Sequence, residues 1–274
     1  VRSREVSPDD DAMTGFGFFL AGWAVAALLM LLAWAVQFRT RDAGVVDFAW
    51  AAGLGLLALG YALSADGDAL RRTLVAVLAG GWSFRLAAHI LFDRVIGQPE
   101  DGRYQRLRAH WREHTQLKFF GFFQAQALLT AVFAAPFLVV ALTPDRSPPP
   151  AILAAVAIWL LAVGGETLAD RQLAAWRADP ANRSRTCRAG LWRYSRHPNY
   201  FFEWLHWWTY PLLAWGSPAW WLTLLGPALM LYTLLKVTGI PYTERQALTS
   251  RGDDYRAYQR STSTFVPWFP KREV

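Results

Sequence analysis

Residues Leu191–Glu203 read LWRYSRHPNYFFE. Arg193, Tyr194, Arg196, His197, Asn199, Tyr200 and Glu203 crowd into this short stretch, and long apolar runs stand on both sides of it. A polar cluster at the edge of hydrocarbon has two uses. It holds a charged partner, or it tethers helices to the interface.

Outward from this stretch the chain is strongly apolar. Of its 274 residues 54% are apolar and 18% charged, against about a quarter charged in a soluble domain. The charges are gathered into blocks, and the runs between them approach or exceed the roughly 20 residues that cross hydrocarbon as helix. The expected fold class is therefore all-α, a polytopic integral membrane protein built as one membrane domain. Net charge is +7. In such a chain the excess fits cytoplasmic loops facing lipid, so membrane lipids are expected partners and nucleic acid is not. The lone cysteine, Cys187, excludes an intrachain disulfide and a multi-cysteine metal site. The acidic start VRSREVSPDDDA lacks the basic opening of a secretion signal.

Seven spans are expected, at about 16–36, 45–63, 74–92, 119–142, 151–168, 200–215 and 220–237. The second carries Gly53, Gly55 and Gly60, where another helix can approach closely. Between the third and fourth, Tyr104, Leu107, Trp111 and Leu117 predict an amphipathic segment on the membrane surface. TPDRSPPP reads as an outer loop, and the tail after residue 239 alternates charges with aromatics against the membrane face. Lys and Arg concentrate in 93–118, 170–199 and 239–274. With seven crossings the positive-inside rule puts the N-terminus outside and the C-terminus in the cytoplasm.

On that topology the polar groups gather toward one leaflet, in a cavity open to the cytoplasm and bounded by hydrocarbon. Asp47 and Trp50 enter there from the second span. Trp82, Arg85, His89 and Asp93 share a face of the third, and ionisable groups in a span face a protein interior or a wet cavity. Glu166 and Asp170 close the fifth. The arginines of 170–199 suit the oxygens of a pyrophosphate or ribose phosphate, or equally lipid phosphates. No Gly-rich phosphate loop of the soluble dinucleotide type is present. The five histidines give no metal site, because HWREH at His110–His114 lacks HExxH spacing. Ser195 and Cys187 form no nucleophile constellation.

Several separated motifs carry a resemblance. ETLADRQ at Glu166–Gln172, GLWRYSRHPNYFFE, GIPYTE, DDYRAYQRSTSTFVPWFP, VVDFAW at Val45–Trp50, WSFRLAAH at Trp82–His89 and EDGRYQRLR at Glu100–Arg108 together resemble the steroid 5-alpha-reductase superfamily, in its bacterial DUF1295 branch. The resemblance spans about residues 14–270. It implies a seven-span reductase of the bacterial inner membrane, with NADPH as cofactor in a cytoplasm-facing pocket and a lipophilic enone such as a 3-oxo-delta-4 steroid as substrate. It assigns 14–142 to the substrate side and 151–270 to the cofactor side. The cofactor contacts it implies are His89, Asp93, Arg94, Asp170, Arg193, Tyr194, Arg196, His197, Asn199, Tyr200 and Glu203. Animal members use a Glu on the second span and a Tyr on the third around the carbonyl. Here Trp82 stands at the Tyr position and the second span offers only Asp47.

The candidate catalytic residues are Asp47, Trp82 and Arg85. Hydride addition to the beta carbon of an enone builds negative charge on its oxygen, which a donor or protonated acid stabilises. Asp47 is that acid or the ion partner of Arg85. Trp82 is an apolar wall or an indole donor. The RHPxY…E pattern is also similar to the membrane isoprenylcysteine carboxyl methyltransferases, which makes an S-adenosylmethionine-dependent methyltransferase the alternative. A non-enzymatic scaffold leaves the clustered ionisable groups unexplained, and a transporter would spread them toward both sides. Oligomeric state is open.

Overall fold

The computed structural model describes residues 8–144, 149–237 and 239–271. The acidic start up to residue 7 and the loop 145–148 lie outside them. The chain divides into two compact units. In described residues, the first holds 8–144 and 216–223, and the second holds 149–215 with 224–271. All regular elements among these residues are helical.

The first unit contains α1 (Pro8–Thr40), α2 (Val45–Ser64), α3 (Ala69–Val95), α4 (Gly102–His110) and α5 (Thr115–Leu142). Three of its helices, α1, α3 and α5, pack around α2. Small residues let them close in. A methyl group on Gly55 would stand 2.9 Å from the Phe84 ring of α3, and one on Gly53 would stand 3.1 Å from Thr130 of α5. Gly60 faces open space instead. The core joins Met30 and Ala33 of α1, Val46 and Ala49 of α2, Tyr104 of α4, and Phe119 and Phe123 of α5. The α3 rod includes π-helical turns at Val75–Ala79 and Leu91–Val95. Arg71, at its start, is fully buried and donates to the Pro144 carbonyl at 3.0 Å.

Tyr104, Leu107 and Trp111 were expected to lie on lipid. They pack on the unit's own core instead, while Leu117 is exposed. The amphipathic pattern was real, but its apolar face is covered by α1, α2 and α5 residues.

The second unit holds α6 (Pro149–Ala178), α7 (Pro198–His206), α8 (Thr209–Leu213), α9 (Leu225–Tyr232) and α10 (Ile240–Ser261). Both α7 and α8 lie along α6. A methyl group on Gly165 would fall 2.5 Å from the Phe202 ring, so glycine is what lets α7 sit against α6. Trp204 donates its indole N–H to the Pro227 carbonyl at 3.1 Å and ties α7 to α9.

Six helices among the described residues are long and apolar enough to cross a membrane: Met13–Thr40, α2, α3, α5, α6 and the run Trp220–Ser261. They expose rows of large apolar side chains, such as Phe16, Leu28 and Leu32 on α1 and Leu153, Leu160 and Leu161 on α6. Such rows suit lipid, and the chain is a multi-pass membrane protein. The expected span at 200–215 is not one long helix. It breaks at Trp207 and Trp208, whose N–H groups bond back three residues, to Trp204 and Leu205. Pro211 lacks the N–H that would continue the ladder to Trp207, so the chain restarts as the short α8.

Candidate functional site

Each unit carries its own polar cluster. In the first, Asp47 stands in the opening turn of α2. Its Oδ2 is 2.7 Å from an Arg103 guanidinium nitrogen, and its Oδ1 accepts from the Tyr104 hydroxyl at 2.7 Å. Arg103 also donates Nε–H to Asp101 Oδ1 at 3.0 Å, and Asp101 caps α4 by accepting from the Arg103 backbone N–H at 2.8 Å. Next to it, Arg108 pairs with Glu100 at 2.8 Å, and Glu100 accepts from the Ala43 N–H at 2.9 Å. These bonds fasten α4 to the junction of α1 and α2.

The electrostatics of α4 follow from this geometry. Burial alone would raise the Asp101 carboxyl, but bonds from Arg103 outweigh it and hold it below the usual carboxylate range. Burial, then the Asp47 charge, pushes the Tyr104 phenol well above its ordinary value. Burial works against the Arg103 cation, yet Asp47 and its other neighbours raise its pKa further.

Of the two readings of Asp47, the geometry favours the ion pair, with Arg103 as the cation where Arg85 was expected. Both carboxylate oxygens are engaged. Trp82 is fully buried inside α3, and Arg85 is half-buried one turn on. His89 and Asp93 pair at 2.7 Å on an exposed face, and Arg94 is exposed beside them. These three stand in the first unit, whereas the other candidate cofactor residues stand in the second.

In the second unit the motif segment is built on the last turns of α6. Gly190 has φ +56, a left-handed conformation that favours glycine. A side chain there would also strike Gln172 at 2.4 Å. Gln172 is held there because its Oε1 accepts from the Leu191 N–H at 2.8 Å. Trp192 donates its indole N–H to the Ala169 carbonyl at 2.8 Å. Pro198 opens α7, where its missing N–H has no cost. Asn199 donates to Asp170 Oδ1 at 3.0 Å, joining α7 to α6. His197 and Tyr200 stack with planes 6° apart and centroids at 5.4 Å. Glu203 accepts from the Trp207 indole at 3.3 Å. Asp170, Tyr194, Asn199, Tyr200 and Glu203 are half-buried.

Arg196 has a different surrounding. Its Nε–H donates to Glu244 at 2.7 Å, and its terminal nitrogens donate to the Gln259 and Thr262 carbonyls and to Thr264 Oγ1, each at 2.9 Å. Four of its five N–H donors thus hold the tail. The backbone adds Arg196 N–H to Ser263 at 2.8 Å, and Ser195 Oγ–H donates to Phe265 at 2.8 Å. Gln259 donates to the second Glu244 oxygen at 2.9 Å. His197 Nε2 lies 3.4 Å from Glu244. Burial pushes His197 below its usual value, and Arg196 adds to this against the opposing pull of Glu244.

The arginines of 170–199 differ in their surroundings. Arg188 and Arg196 are paired, with Asp254 and Glu244. Arg171, Arg183, Arg185 and Arg193 are exposed and, among the described residues, stand in no ion pair. Cys187 is buried, and burial raises its thiol. Among the described residues no group of three or more His, Cys, Asp or Glu could hold a metal ion.

Residues 33–262 match a family described as a protein of unknown function, DUF1295. The chain belongs to DUF1295. No curated protein and no solved structure matches it. The match runs from the end of α1 through α10, and so takes in both polar clusters of this DUF1295 chain. Arg103, Tyr104, Glu244 and Gln259 are the partners that reading the sequence did not assign. Each lay within a quoted motif, EDGRYQRLR, GIPYTE or DDYRAYQR, but nothing in the sequence named its partner.

Proposed function

We propose that the chain is a reductase of the bacterial inner membrane that uses NADPH to reduce the carbon–carbon double bond of a lipophilic enone, a 3-oxo-delta-4 steroid or a related lipid. The observation that carries this reading is the set of exposed arginines, Arg171, Arg183, Arg185 and Arg193, that stand in no ion pair among the described residues, on the same unit as the half-buried Asp170, Asn199, Tyr200 and Glu203. Membership of DUF1295 and the motifs shared with the steroid reductases support it.

The chemistry of these residues fits a dinucleotide phosphate. Guanidinium groups that no carboxylate neutralises suit phosphate oxygens. The half-buried pair Asp170–Asn199 and the stacked His197 and Tyr200 offer polar edges and flat faces. NADPH, when bound, supplies the hydride. Arg193 binds and orients the phosphates. Arg196 acts through the fold, holding 259–264 so that the segment Leu191–Glu203 keeps its shape. In the first unit Arg85 offsets negative charge on the substrate oxygen, and Trp82 keeps water from that wall. Such a charge contributes on the order of a hundredfold in rate. Asp47 positions Arg103 and Tyr104 through its two oxygens.

The basic segments 93–118, 179–197 and α10 face the cytoplasm in this account, by the positive-inside rule. An outside N-terminus then requires α7 and α8 to count together as one crossing. A C-terminal reporter active only in the cytoplasm tests this, and an active reporter outside would reverse it. Titration of the purified protein with NADPH tests the function. Saturable binding that weakens in Arg183→Glu with Arg185→Glu is expected. Binding of S-adenosylmethionine alone would replace the reductase by a methyltransferase.

A further inference from the structure

Past α10 the chain forms a short strap that is fixed at both ends and bare in the middle. Phe265 is buried, with the Phe201 and Trp204 rings each 5.8 Å from its own. Its carbonyl takes the Ser195 hydroxyl. Beyond it, the Trp268 N–H donates to the Tyr194 carbonyl at 2.9 Å and the Lys271 N–H to Ser261 at 2.8 Å. The Phe269 ring meets Tyr194 edge-on, with centroids 6.0 Å apart. Between these anchors Val266 is 52% exposed, Trp268 71% and Phe269 77%. A flexible tail would fold such rings away. Here backbone bonds hold them outward.

Described cations stand next to the tip along the chain. Arg260 stands in the last turn of α10 and Lys271 closes the strap. Both are exposed and, among the described residues, stand in no ion pair. Aromatic rings flanked by cations match the boundary of a bilayer, where rings sit at headgroup depth and Lys and Arg meet anionic headgroups. A stable protein contact needs about 800 Å² from each partner, and the tip offers the exposed side chains of Val266, Trp268 and Phe269. A second copy would bring like charges together.

We propose that 266–269 seat in an anionic phospholipid surface, and that this seating steadies the segment Leu191–Glu203 through Tyr194, Ser195 and Arg196. The inference holds whatever cofactor the chain binds. Because the strap and this segment share their hydrogen bonds, lipid held by the first stabilises the second.

The test uses the full chain in nanodiscs of phosphatidylcholine, with and without phosphatidylglycerol. The midpoint of thermal unfolding of the wild type is expected to rise by about 3 °C or more with the anionic lipid. Trp268→Ala with Phe269→Ala should lose that rise, and so should Arg260→Gln with Lys271→Gln, whose exposed side chains are dispensable for folding. Brominated phosphatidylglycerol should quench the wild type more than Trp268→Phe. An equal midpoint in both lipids, or a rise that both double variants keep, would overturn the proposal. A change from dimer to monomer in the aromatic variant would also overturn it, by making the tip a protein contact.

Discussion

Arg196 and Glu244 stand 48 residues apart in the chain, yet their side chains meet at 2.7 Å with only 9% and 17% of each exposed. This pair is the fastening between the motif segment and α10. Removing one partner of a buried ion pair costs about 3–5 kcal/mol. Arg196→Ala should therefore lower the unfolding midpoint strongly, and Arg196→Lys only partly, since an ammonium reaches fewer of the four acceptors. A double-mutant cycle with Glu244→Gln should show strong coupling. Loss of NADPH binding in Arg196→Ala with an unchanged midpoint would instead make Arg196 a direct cofactor contact.

His197 sits in the same cluster and gives it a pH dependence. Burial, with Arg196 adding, lowers its folded value below the 6.5 of an ordinary histidine. The unfolded chain therefore takes up the proton first as pH falls. Stability from this group is complete above about pH 6.5 and declines as pH drops through the folded value. Midpoints measured from pH 8 to pH 5 should fall more steeply for the wild type than for His197→Gln. Parallel slopes would contradict this origin.

In the first unit the Tyr104 hydroxyl and Arg103 share Asp47. Tyr104→Phe leaves one oxygen of a largely buried carboxylate without its donor, a loss of about 1–3 kcal/mol. Asp47→Asn should be similarly destabilising because it leaves the Arg103 cation uncompensated. Once folded, Asp47→Asn should retain substantial turnover in the reaction proposed above. Abolished turnover with an unchanged unfolding midpoint would return Asp47 to the role of the reacting acid.

At Gly165 the Phe202 ring of α7 lies close against α6. A methyl group there lies 2.5 Å from the ring of the buried Phe202. Gly165→Ala should cost about 1–3 kcal/mol through overpacking, and Phe202→Leu should restore part of it. An unaltered midpoint in the single variant would show that α7 can shift freely along α6.

The long apolar helices were legible because a run of apolar residues bounded by charge has few other outcomes. The break at Trp207 was not, because 200–215 is as apolar and aromatic as a true span. It follows from Pro211 and from tightening of the backbone bonds before it. The motif Leu191–Glu203 was visible as a polar concentration, and Asn199 with Asp170 was placed on the same functional side. What Arg196 does was not readable. Its acceptors lie on Glu244, Gln259, Thr262 and Thr264, and no local spacing links them to it. Asp47 was read as an acid or as the ion partner of Arg85, whereas its cation is Arg103, which lies 56 residues on, past a whole helix, and farther along the chain than Arg85. Fold class depends on local composition, whereas a site depends on which distant side chains meet.

The most direct measurement is a binding titration of the detergent-purified chain with NADPH and, separately, with S-adenosylmethionine, with bound ligand read by mass spectrometry. The account predicts saturable NADPH binding, weakened when Arg183 and Arg185 are reversed to Glu, and none for S-adenosylmethionine. Saturable S-adenosylmethionine binding without NADPH binding, in folded protein, would contradict it.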